Sequence, residues 1–156
     1  MRWFKYIATI FSFTLLTLFS GCNTSDTTSP KAHVGDKRVC PQCNMELSKS
    51  NVDTAVIEDD GKLYYFDDIG CMILWSSENK INLKESKVEV YSKDTAKYID
   101  SYSANYTFNE KTPMSYGFRA YEKTKENSID FNELRVRMLR GENMANPKIR
   151  KQILGL

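Results

Sequence analysis

Two short blocks of sulfur-bearing side chains mark this sequence. Cys40-Pro41-Gln42-Cys43-Asn44-Met45 places two thiols and a thioether close together, and Gly70-Cys71-Met72 adds one of each. Three chemistries are open to such a set. A Cys-Pro-x-Cys motif serves thiol–disulfide oxidoreductases, and Thr112-Pro113 imitates their proline segment, but that motif should follow an apolar strand and open a long helix. Here Gly35-Asp36-Lys37-Arg38-Val39 precedes it and Ser48-Lys49-Ser50-Asn51 soon follows. A structural zinc site wants four Cys or His ligands in spaced pairs, whereas the sequence offers one Cys pair, a separate Cys71 and no well-placed His. Copper(I) is a soft ion of low coordination number, so a Cys-x-Met arrangement suits it well. Thioethers cannot pair into disulfides, so a site containing Met keeps affinity where Cys40 and Cys43 could pair with each other. Met72 reads equally well as core packing.

The chain has four Cys and one His among 156 residues. Cys22 belongs to a different feature. Arg2 and Lys5 precede an apolar run from Tyr6 to Phe19, too short to span a bilayer comfortably, which ends in Leu18-Phe19-Ser20-Gly21-Cys22. Small residues before a Cys are the pattern cut by the bacterial lipoprotein signal peptidase, with Phe19 where an aliphatic residue is usual. Residues 1–21 are therefore expected to be a lipoprotein signal peptide. Lipidation of Cys22 would supply the several chains that stable anchoring needs, placing the protein in a bacterial cell envelope, facing the periplasm. Residues 22–35, rich in Ser, Thr, Asn and Asp, are expected to form a flexible tether. His33, the sole histidine, falls in that tether, so no His-dependent catalytic triad can be assembled in the folded part and no enzyme is expected. Once Cys22 is used, three thiols remain, and a pure disulfide framework cannot account for an odd number.

Without residues 1–21 the chain carries 20 basic and 20 acidic side chains. That balance provides no electrostatic footprint for nucleic acid. Nine Tyr and eight Phe can fill a small aromatic interior.

The elements that would position the sulfurs can be read from periodicity. Residues 53–58 and 62–66 are β-type runs around Asp59-Asp60-Gly61, a hairpin. Asp67 or Asp68 can cap a helix in which Ile69, Met72 and Ile73 share a face and most of the circumference is apolar, so it should be buried. Residues 87–91 alternate as a half-exposed strand. Residues 98–108 are β-like, 109–113 turn-like and 115–121 β-like, and a helix is expected over 131–140, with Asp130 and Glu133 at its start and Gly141 at its stop. The fold class is α+β: small antiparallel sheets with helices, read as two tandem strand-turn-strand-helix units. Residues 36–142 form the metal-binding domain and 143–156 a solvated C-terminal tail.

Three blocks together resemble a known family. Cys40-Pro-Gln-Cys43-Asn-Met45, Asp60-Gly61-Lys-Leu-Tyr-Tyr-Phe66-Asp-Asp-Ile-Gly-Cys71-Met72 and Thr112-Pro113-Met114-Ser-Tyr-Gly117-Phe118 are similar to the NosL family of nitrous-oxide-reductase accessory lipoproteins. The first two also resemble YHS or TRASH-type metal-binding modules. The NosL resemblance implies a membrane-anchored periplasmic copper(I) metallochaperone that passes copper, through a membrane transporter complex, towards nitrous oxide reductase. The chain departs from the family at Asn44 and Ser115, where Gly is usual, and a histidine ligand could come only from His33. A carrier must bind copper yet release it, which a three-coordinate, partly exposed site allows. The expected ligands are Cys43 and Met45, then Met114, with Cys40 and Cys71 as alternatives. The other reading is a lipoprotein interaction module held by structural zinc or a disulfide.

Overall fold

The computed structural model describes residues 38–156. Cys22, His33, the signal peptide and the tether lie outside the described residues. Strands β1 (Ala55–Asp59) and β2 (Lys62–Phe66) pair antiparallel, with Asp59 opposite Lys62. Asp60 and Gly61 both have positive φ, the conformation that a two-residue hairpin turn needs and that Gly adopts at no steric cost. Strand β3 (Lys87–Tyr91) returns to the other side of β1, and β4 (Tyr98–Asp100) adds beyond it, giving the order β2-β1-β3-β4. The register sets Ala55, Phe66, Val90 and Ile99 on one face, with Ile57, Tyr64 and Val88.

Helix α1 (Ile69–Glu78) joins β2 to β3. Ile69, Gly70, Cys71, Met72, Ile73 and Ser76 are all buried, as its apolar circumference requires. Met72 is wholly buried within the core cluster, which also contains Phe66, Ile69 and Val90.

A second sheet is a two-stranded pair, β5 (Asn105–Thr107) with β6 (Arg119–Tyr121), followed by α2 (Phe131–Leu139). Asp130 caps α2 by accepting from the Glu133 amide at 2.8 Å, and Gly141 takes positive φ just past its end. The architecture is thus α+β with two small antiparallel sheets, and strand-turn-strand-helix order appears in both halves. The run expected as one strand over 98–108 is two strands in different sheets. The chain turns between them at Ser101–Ala104, where the Ser103 amide donates to the Asp100 carboxylate.

Two contacts lock the small sheet onto the large one. Arg119 donates to both oxygens of the buried Asp53 carboxylate, at 2.6 and 2.8 Å, just before β1 begins. Asp94, after β3, accepts from the Glu122 and Lys123 amides beyond β6. The packed domain continues past residue 142, because Asn143 and Met144 are buried and the Met144 amide donates to the Tyr116 carbonyl. Beyond them the expected tail forms helix α3 (Pro147–Leu154), capped by Asn146 and stopped by left-handed Gly155, and none of its residues is buried.

Candidate metal centre

The Cys40–Met45 block is the turn of a small hairpin-like loop. Val39 and Glu46 form an antiparallel bridge, the Cys40 amide donates to the Met45 carbonyl, and the Asn44 amide returns to the Cys40 carbonyl, both at 2.8 Å. Asn44 closes the turn at φ 61°, a left-handed conformation that Asn tolerates better than most residues. So closed, the turn directs backbone amides at sulfur: Cys43 and Asp67 donate to the Cys40 sulfur, and Met45 to that of Cys43. Amide donors of this kind favour the thiolate, the form in which cysteine binds metal.

The two acids after β2 divide their work. Asp68 caps α1, one oxygen accepting from the Gly70 amide at 2.8 Å and the other from the Met114 amide at 3.1 Å. Asp67 is therefore free to face the sulfurs. Its Oδ1 accepts from the Cys43 thiol at 3.2 Å, while its Oδ2 is buried without a hydrogen-bond partner among the described residues. Cys71, in the first turn of α1, completes the group. Ligand atoms of Cys40, Cys43, Asp67 and Cys71 all lie within 4.8 Å of one another. All three cysteines are free thiols, with Cys40 and Cys71 fully buried and Cys43 half-buried.

The electrostatics follow from this crowding. A hydrogen bond from Cys71 is the main cause that lowers Cys40 to about 6, against the desolvation that opposes it. The same contact raises Cys71 far above its ordinary value, since its proton is held between two sulfurs. Burial pushes Cys43 up to about 12, aided by its bond to Asp67. At neutral pH the metal-free centre thus holds one thiolate, Cys40, and two thiols. A soft or borderline cation fits this set: sulfurs are present in number, and the unpartnered Asp67 oxygen is a lone pair that burial leaves without compensation. The Cys3Asp group can hold a metal ion.

The 112–117 loop closes over the centre. Thr112 donates to Asp68 and accepts from the Gly117 amide, Ser115 takes φ 58°, and Gly117 takes φ 90°, where Met144 leaves no room for a Cβ. Tyr116 lies against α1 so closely that a Cβ on Gly70 would collide with its ring. Burial, with the nearby charges of Cys71 and Asp68, raises the Tyr116 hydroxyl to about 12.

The structure therefore brings together Cys40, Cys43 and Cys71, and anchors the backbone of Met114 on the residue next to Asp67. Met114 packs partly buried against the core, whereas Met45 is 42% exposed beside Cys43. The Cys40–Cys43 turn opens no helix, whereas a thioredoxin-like motif must open one. Asp67 was missed as a ligand by sequence reasoning. Its signal is the doubled acid: a helix needs one N-cap, and the spare carboxylate stands four residues before Cys71. Compared with known proteins, the chain matches no family model, no curated protein and no solved structure.

Proposed function

We propose that the protein is a membrane-anchored periplasmic copper(I) carrier of the NosL type, which delivers copper to a transporter complex serving nitrous oxide reductase. The observation that carries this reading is the gradient of exposure across the sulfurs, from buried Cys40 and Cys71, through half-buried Cys43, to exposed Met45. Thiolates and a thioether are donors that copper(I) prefers. A sulfur reaching in from a partner would meet Met45 and Cys43 first, so the ion can gain a new ligand before it loses the old ones. The anchor at Cys22, the tether and the client rest on the sequence blocks set out above.

Anaerobic titration with copper(I) against a competing chelator tests the reading. One equivalent is expected to bind, with affinity insensitive to loss of His33 and sharply reduced in Cys43→Ser. Equal affinity for the parent and the Cys43→Ser protein would exclude a carrier site here. Incorporation of labelled fatty acid, expected in the parent and absent in Cys22→Ala, tests the anchor separately.

A further inference from the structure

Copper(I) leaves one member of the centre without a task. A carboxylate is a hard ligand, of little use to an ion satisfied by two or three sulfurs. Yet Asp67 is 3% exposed, its Oδ1 touches the Cys43 thiol, and its Oδ2 has no hydrogen-bond partner among the described residues. Burying an unsatisfied carboxylate oxygen is costly unless something neutralises it. Among the described residues no basic side chain pairs with it: Arg38 donates to Asn51 and stacks on Tyr65, and Arg119 is committed to Asp53. Asp68 does not substitute for it, because both Asp68 oxygens already accept amides.

We propose that Cys40, Cys43, Cys71 and Asp67 form a four-coordinate site for zinc(II), with Asp67 as the oxygen ligand. Zinc(II) takes four thiolate, imidazole or carboxylate donors in a tetrahedron whose sulfur edges are about 3.8 Å. Four donor atoms already within 4.8 Å of one another reach that geometry by a small contraction. Binding displaces the protons that the three thiols still carry and releases them to solvent. The amides of Cys43, Asp67 and Met45 directed at Cys40 and Cys43 offset the negative charge gathered around the ion. Zinc-bound thiolates are also withheld from disulfide pairing, which matters for an odd set of thiols in an oxidising compartment. On the copper reading, which this last step rests on, incoming copper(I) displaces zinc(II) from the sulfurs and Asp67 is released.

The test uses the full chain in a Cys22→Ser background, purified anaerobically, so that only the clustered thiols report. Zinc(II) and copper(I) are titrated separately against chelators, and cobalt(II) is substituted to read the ligand field. The parent is expected to bind one zinc(II) and to give the intense visible absorption of tetrahedral cobalt(II) with thiolate charge transfer. Asp67→Ala is expected to lose at least about tenfold in zinc(II) affinity, as ligand-sphere losses do, with an altered cobalt(II) spectrum and little change towards copper(I). Asp67→Asn, nearly isosteric, should show the same split and guards against a folding defect in the Ala variant. Failure of the parent to bind zinc(II), or equal losses for both metals in both variants, would overturn the proposal. Absence of copper(I) binding in a parent that binds zinc(II) through Asp67 would instead overturn the carrier function and leave this site standing.

Discussion

The centre and the β5–β6–α2 region differ in what their most buried groups engage. In the latter, the wholly buried Tyr106 donates its hydroxyl to the Ser101 carbonyl at 2.7 Å, and its backbone exchanges two hydrogen bonds with Ile129. Phe131 fills the space beside it, with ring centroids 4.9 Å from Tyr102 and 5.9 Å from Tyr106. Arg119 spends its guanidinium on Asp53, Glu110 and the Lys111 carbonyl. At the centre, Asp67 Oδ2 has no hydrogen-bond partner among the described residues, and it lies in a group of four potential ligand residues whose atoms are within 4.8 Å of one another. One region is held by hydrogen bonds and packed rings; the other gathers donor atoms that can hold a metal ion.

The sharpest way to break that contrast is to cut the self-contained region. Phe131→Ala removes a fully buried ring from the aromatic stack and is expected to destabilise the domain by about 3–5 kcal/mol. The loss should be the same with and without metal, measured by denaturant unfolding. A loss that metal suppresses would mean the two regions are not independent. The centre should show the converse. Saturating copper(I) in thousandfold excess over Kd is expected to stabilise the parent by about 4 kcal/mol through mass action, and Cys43→Ser not at all. Met114→Leu sharpens the comparison further. If the Met114 sulfur joins the site, the copper-induced rise in melting temperature is smaller in the variant; an identical rise leaves the metal to the cysteines. Tyr106→Phe, which strands the Ser101 carbonyl, is expected to cost about 1–2 kcal/mol irrespective of metal.

The two regions also differed in how readily their residues could be read. Strands β2 and β3 were legible because alternating apolar residues are bounded by Asp60-Gly61 and by polar turns, and α2 because Asp130 and Gly141 punctuate it. The break between β4 and β5 was not. It contains neither Gly nor Pro, and Tyr-Ile-Asp-Ser-Tyr-Ser-Ala-Asn-Tyr keeps a β-like composition straight through a turn that depends on the Asp100 carboxylate. Helix α3 carried its signals in plain view, Asn146-Pro147 at one end and Gly155 at the other, but a polar composition without a buried face suggested only a solvated tail. For the centre, the cysteines were legible as residue types and their convergence was not. Asp67 and Asp68 are indistinguishable in the sequence, and only tertiary contacts decide which caps the helix and which faces the thiols. Met45, favoured on spacing, is exposed, because the tight turn uses its backbone rather than its side chain to serve the sulfurs.

A further expected effect concerns pH in the metal-free protein. Burial raises Asp68 from 3.8 to about 6, so its folded form prefers the proton. Its contribution is therefore fully favourable below pH 3.8 and is lost as pH rises through 6. Cys40 runs the other way. The hydrogen bond from Cys71 lowers it from 9.0 to about 6, so its contribution is present above pH 9 and is lost as pH falls through 6. The two limbs meet, and the metal-free domain should have a stability minimum near pH 6 in denaturant unfolding followed from pH 4 to 9. Cys40→Ser is expected to flatten the alkaline limb and Asp68→Asn the acid limb, each leaving the other in place. Ultraviolet thiolate absorption provides an independent reading, with one thiolate titrating near pH 6 in the parent and none in Cys40→Ser. Metal should steepen the alkaline limb and extend it below pH 6, since a bound ion keeps the cysteines deprotonated in the folded state while the unfolded chain holds their protons up to about pH 9. A minimum that persists unchanged in the metal-loaded protein would mean that the thiolate at Cys40 is not the group the ion engages.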